Sequence, residues 1–114
     1  MAGVDERIAA LQQRVRLGGG FREADRERVL RGLSGLAKHL AGWNPDQVDI
    51  EVSVKDRDKP EQRVTVNLRL TGRPHLVAGA SRPDLDQALA EARKELTRQV
   101  DDEKSRRAPQ HRRP

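Results

Sequence analysis

The sequence predicts an α+β fold, a two-layer sandwich in the order β-α-β-β-β-α, with a four-stranded mixed sheet and two helices on one face. Three observations carry this. Val48, Ile50, Val52 and Val54 alternate with Asp49, Glu51, Ser53 and Lys55, a period of two that sets apolar and polar side chains on opposite faces of a strand. Val64, Val66, Leu68 and Leu70 repeat the pattern against Arg63, Thr65, Asn67, Arg69 and Thr71. Leu85, Leu89, Ala92, Leu96 and Val100, with Ala88 beside them, recur at helical spacing, so that segment has a single stripe to bury. Elements with one apolar face each are buried together when the helices cover one side of one sheet, which leaves the other side wet.

The remaining elements follow in chain order. Ile8 and Leu11 stand at helical spacing within Asp5–Gln13, so residues 1–13 read as a short helix or an ordered arm. Arg14, Val15, Arg16 and Leu17 alternate as a short strand, which Gly18, Gly19 and Gly20 end. This glycine run lacks both GxxxxGK[ST] and GxGxxG spacing, so it reads as a flexible turn and not as a phosphate loop. Phe21 to Leu40 is expected to form one helix, with Val29, Leu33, Leu36 and Leu40 on its buried side. Gly32 and Gly35 weaken that helix by about 1 kcal/mol each relative to alanine, and would suit close approach by the sheet or by a ligand backbone. Gly42, Asn44 and Pro45 turn the chain into the first long strand, and Asp56 to Pro60 connects it to the second. These two long strands are expected to form the antiparallel centre of the sheet.

His75 to Ala80 supplies a last short strand. Ser81 is the expected N-cap of the final helix, with Pro83 in its first turn and Asp84 complementing the helix dipole. Residues 14–104 then form the domain, and 105–114 a flexible basic tail without apolar periodicity.

Composition bounds the function. An apolar content of 34% in 114 residues supports one modest core, and Phe21 and Trp43 are its only large rings. Both read as core residues, Trp43 capping a helix end in preference to stacking on a base. With no cysteine there is no disulfide or thiolate metal site. His39, His75 and His111 fall in three unrelated segments, and no residues are spaced as a triad or a metal site, so the chain is not expected to be an enzyme and no cofactor is implied. No segment reaches the roughly 18 apolar residues of a membrane span, and the expected location is the cytoplasm. Lys and Arg total 23 against 18 acids, a formal charge of +5. Arginine predominates, and its planar fork pairs well with phosphate, which favours a nucleic-acid partner.

From Arg14 to about Arg107 the sequence resembles the short ribosome hibernation factors, the ribosome-associated inhibitor or S30AE family. The residues that carry the resemblance are Val15-Arg16-Leu17-Gly18 and the Leu33, Leu36, Leu40 helix, then Val48-Asp49-Ile50-Glu51-Val52. Arg63 to Gly72 is similar to the family's long strand and turn, and Asp84, Ala88, Leu89, Ala92, Leu96 and Gln99 to its last helix. The resemblance implies a domain that docks on the small ribosomal subunit and its rRNA near the decoding region. There it would sterically block translation while stabilising idle ribosomes. By position it implies RNA contacts from Arg28, Arg31 and Lys38 in the first long helix and from Arg93, Lys94 and Arg98 in the last. With no linker and dimerising domain following, the resemblance is to the short type.

Two features depart from the family pattern. Asp86 stands where an aromatic is frequent, and Asp101, Asp102 and Glu103 occupy a usually lysine-rich helix end. From Arg82 to Arg107 acids and bases are equal in number, which predicts weaker attraction of RNA to this helix. The alternative left open is a protein-interaction module that forms a homodimer or docks a basic partner through Asp101–Glu103. Oligomeric state is open on either reading. The wet sheet face offers a second basic surface in Arg14, Arg16, Arg63 and Arg69, unless Asp49 and Glu51 neutralise it.

Overall fold

Why each segment adopts its conformation is visible in a computed structural model, which describes residues 4–40 and 42–107. The chain runs α1 (Val4–Gln12), β1 (Val15–Leu17), a 3₁₀ turn (Glu23–Asp25), α2 (Arg26–Gly32), α3 (Leu36–His39) and a second 3₁₀ turn (Pro45–Gln47). It continues through β2 (Val48–Lys55), β3 (Arg63–Leu70), β4 (Leu76–Ser81) and α4 (Leu85–Arg107). The sheet order is β1-β2-β3-β4. β1 pairs parallel to β2 with Val15 opposite Ile50, and β2–β3 and β3–β4 are antiparallel, with Val52 opposite Val66 and Val66 opposite Ala78. The expected four-stranded mixed sheet with helices on one face is the fold observed. Its apolar face holds Val48, Ile50, Val52, Val54, Val64, Val66, Leu68 and Leu70, all buried against the Leu85–Val100 stripe of α4 and against Val29, Leu33, Leu36 and Leu40. Phe21 and Trp43 are both in that core, as expected. Among the described residues, no helix is long and apolar enough to cross a membrane.

The helix expected over Phe21–Leu40 is divided. α2 stops at Gly32, and Gly35 takes φ of 93°, a left-handed conformation that an α-helix cannot contain and that glycine adopts without a Cβ clash. Gly32 serves a helix contact in place of the expected approach by the sheet: a Cβ there would lie 2.8 Å from the Leu89 Cβ of α4. The missing side chain is therefore what lets α2 and α4 pack closely.

The glycine run after β1 forms a turn docked on β2. Val54 N–H donates to the Gly19 carbonyl at 2.8 Å and Gly18 N–H to the Val52 carbonyl at 2.7 Å. At Gly20, where φ is 87°, a Cβ would meet the Val54 carbonyl oxygen at 2.1 Å. Arg57, from the β2–β3 connection, braces the same turn. It donates to both Asp25 oxygens at 2.8 and 2.9 Å and to the Gly20 carbonyl at 3.0 Å, with its guanidinium 5.4 Å from the Phe21 ring centroid.

Ser81 is not the cap of the last helix, because it continues the β3–β4 ladder opposite Arg63. Asp84 takes that role, its Oδ1 accepting from the Asp86 N–H at 2.9 Å, and Pro83 precedes the first turn. Buried Gln62 ties the hairpin to this junction, donating to the Arg82 and Pro83 carbonyls at 3.0 and 2.6 Å. α4 reaches Arg107, past Lys104; the rest of the expected tail lies outside the described residues.

Candidate nucleic-acid interface

Close packing at Gly32 brings the outer edges of α2 and α4 together over a shallow groove of about 270 Å³. Asp86, Ala90 and Arg93 succeed one another by four and three residues, so α4 presents them along one edge. α2 contributes Arg28 and Arg31. Of the six cations implied by the resemblance, Arg28, Arg31 and Arg93 converge on this groove, with Ser34 beside them.

Their electrostatic states differ. Arg28 Nε donates to Asp86 Oδ1 at 2.8 Å. That hydrogen bond, reinforced by charge attraction, holds the Asp86 carboxyl below the usual carboxylate range and raises the Arg28 guanidinium. Among the described residues, neither Arg31 nor Arg93 has a carboxylate within 4.0 Å. The open space at Gly35 accommodates Arg93, whose Nη1 would lie 3.8 Å from a Cβ there.

The other three candidates are not brought into the groove. Exposed Lys38 sits on α3 at the margin of a separate apolar cleft lined by Ile8, Leu11 and Leu30. Lys94, also exposed, is one residue round α4 from Arg93. Arg98, exposed on α4, is doubly engaged, by Glu95 at 2.5 Å and Asp102 at 2.8 Å. Arg98, then Gln99, hold the Glu95 carboxyl down to about 2. The acidic segment is similarly occupied. Asp101 Oδ1 lies 3.0 Å from His39 Nδ1, and Glu103, buried, has an oxygen 3.8 Å from Arg73 Nε.

The sequence reading did not assign Asp86 to the groove. Its departure from the family's aromatic was visible, but its partner lies 58 residues away, which no spacing reveals.

Among the described residues no cluster of three or more His, Cys, Asp or Glu could hold a metal ion. A two-layer scaffold with a cationic groove between its helices defines a binding domain. The chain belongs to the Sigma 54 modulation protein / S30EA ribosomal protein family, whose profile matches residues 21–108, and it is accordingly a ribosome-associated type of protein and not an enzyme. Two solved structures share the fold. The Thermus thermophilus Protein Y N-terminal domain is 22% identical over 75% of this chain and 91% of that one, with a TM-score of 0.58. A ribosomal subunit interface protein from Coxiella burnetii is 21% identical over 80% of this chain and 97% of that one, with a TM-score of 0.54. No curated protein matches the chain.

Proposed function

We propose that this protein is a cytoplasmic ribosome hibernation factor that docks on the small ribosomal subunit near the decoding region. By filling space needed by mRNA or tRNA it would block translation while stabilising idle ribosomes. The observation that carries this reading is the convergence of Arg28, Arg31 and Arg93 on one groove, with Arg31 and Arg93 outside ion-pair range of any carboxylate among the described residues. Folded RNA hides its bases in a deep, narrow groove, so a rigid domain meets chiefly phosphates, sugars and shape. Arg31 and Arg93 are the phosphate contacts, Arg28 joins them when Asp86 yields, and exposed Lys38 and Lys94 extend the positive field. Arg98 contributes less, since two carboxylates already hold it. Docking of a basic protein through Asp101–Glu103 is the weaker reading, because each of these carboxylates faces a cation of its own chain, Lys104, Arg98 and Arg73 in turn.

The test is an RNA crosslinking map from gently isolated ribosomal particles, combined with cosedimentation at low and raised salt. The expected result is crosslinks to small-subunit RNA around the decoding region and an association that weakens steeply with salt. Joint Arg31→Glu and Arg93→Glu substitution should remove the association while leaving the circular dichroism spectrum unchanged. Retained association in that variant would refute the groove assignment.

A further inference from the structure

The sheet carries a second cationic surface, facing away from the helices. At the end where β2 begins and β3 finishes, Arg14, Arg69, Arg73 and His75 line a cleft of about 330 Å³ together with Asp46 and Asp49. Arg14 and Arg69 share the wet face, because each alternates with core residues, Val15 and Leu70, that point to the other side.

Strand register places Asp49 directly opposite Arg69, and Arg69 and Arg14 both act on its carboxylate through charge alone. The hydrogen-bonded ion pair is made with a third residue. Arg16, reaching from β1, takes both Asp49 oxygens, Nε to Oδ1 at 2.9 Å and Nη2 to Oδ2 at 2.9 Å. Among the described residues Arg69 is left with no carboxylate in ion-pair range. Arg14 is aimed by its backbone contact: Nε donates to the Val48 carbonyl at 3.0 Å, which fixes the guanidinium plane and leaves its two terminal nitrogens for a ligand. His75 is exposed at the rim, and Arg73 has only a long contact of 3.8 Å to Glu103.

The cationic surface continues along β3. Arg63 stands on the same face as Arg69, roughly 20 Å away at strand rise, with Thr65 and Asn67 between them and no acid on the strand. Arg63 lies across β4, over the space left by Gly79, and its Nη1 donates to Ser81 Oγ at 3.3 Å. Along β3 the face therefore offers spaced guanidiniums separated by uncharged hydrogen-bonding groups, while on β2 Glu51 stands opposite Asn67, and Asp49, held by Arg16, opposite Arg69. The one large exposed hydrophobic side chain among the described residues is Val77. A protein interface needs an apolar centre, whereas a sugar-phosphate backbone needs forked donors at intervals.

We propose that the wet sheet face is a second RNA-backbone site, with Arg69 and Arg14 as its centre and Arg63 as its outer contact, so that the domain is clasped between two RNA segments, one on each layer. The proposal rests on the ribosomal reading above and adds to it the partner of the opposite face. It makes the Arg16–Asp49 pair a device that keeps Arg69 available.

The experiment is hydroxyl-radical footprinting of small-subunit RNA, each protein being used at a concentration that saturates it. The set is the wild type, Arg69→Glu, and the Arg31→Glu/Arg93→Glu pair, with folding checked by circular dichroism. Two separate protected patches are expected for the wild type. Arg69→Glu should lose one of them and keep the other, and Arg69→Gln should lower the salt slope of binding by about 1. If Arg69→Glu leaves the footprint intact while the Arg31/Arg93 variant loses a patch, the sheet-face site is overturned and the groove reading stands. If the wild type protects no RNA, both fall. A photocrosslinker at Asn67 should capture RNA, and capture of a ribosomal protein there would also overturn the proposal.

Discussion

Arg28 of α2 and Asp86 of α4 meet at 2.8 Å across the groove between the two helices. The carboxylate thus occupies a guanidinium that an RNA phosphate would otherwise use. With the Asp86 side chain 66% exposed, the pair is of the kind that contributes up to about 1 kcal/mol, little enough for a phosphate to displace it.

Asp86→Asn should therefore tighten association with small-subunit RNA, up to about fivefold from the pair energy alone, with little change in thermal stability. Titration of isolated subunits at fixed salt measures this. Weaker binding would mean that Asp86 positions Arg28 productively and does not compete for it.

Gly19 and Gly20 separate a structural glycine from a permissive one. Gly20→Ala should destabilise the protein by at least ~2 kcal/mol, because a Cβ there meets the Val54 carbonyl in a left-handed backbone. Gly19→Ala has open space around it and should stay within ~0.5 kcal/mol. Denaturant midpoints of the two variants decide it, and equal effects would contradict the docked turn.

Gly32→Ala should cost about 1–3 kcal/mol by overpacking against Leu89. Adding Leu89→Ala, itself costly, should make the double variant somewhat more stable than the sum of the singles implies, since the Cγ and Cδ1 contacts at 3.4 and 3.2 Å are then gone while the Cβ contact at 2.8 Å stays. Strict additivity in chemical denaturation would show that Gly32 and Leu89 are not in limiting contact.

Acid should weaken the fold through two carboxylates. Arg57, then the Arg22 N–H, hold Asp25 well below its ordinary value, and Arg98 holds Glu95 down to about 2 from 4.5. Because both folded-state values are depressed, their contribution is complete above the unfolded pKa and is lost as pH falls through the folded one. Unfolding midpoints should decline below about pH 4.5, and more shallowly in Asp25→Asn and Glu95→Gln variants than in the wild type. Parallel curves would show that these pairs exist equally in the unfolded chain.

Local pattern made the strands and the last helix legible. Val48–Val54 and Val64–Leu70 could have one buried face only, which made them the antiparallel pair at the centre of the sheet. The break after Gly32 was less legible, although both glycines were visible, because leucines at 33, 36 and 40 continue a helical spacing across it. The Ser81 cap failed for a related reason: a cap and a strand end have similar local sequences, and only the ladder opposite Arg63 distinguishes them.

By itself the sequence determined one α+β layer pair, the order of its elements along the chain, its core and its excess of arginine, since those depend on periodicity and composition. Which arginines are available was decided only by tertiary structure. Asp86 reaches Arg28 across 58 residues, and Asp49 makes its hydrogen bonds to Arg16 of β1 and not to its own cross-strand partner Arg69. A charge is neutralised by what lies within a few ångströms in space, and neighbours along the chain do not reveal those distances.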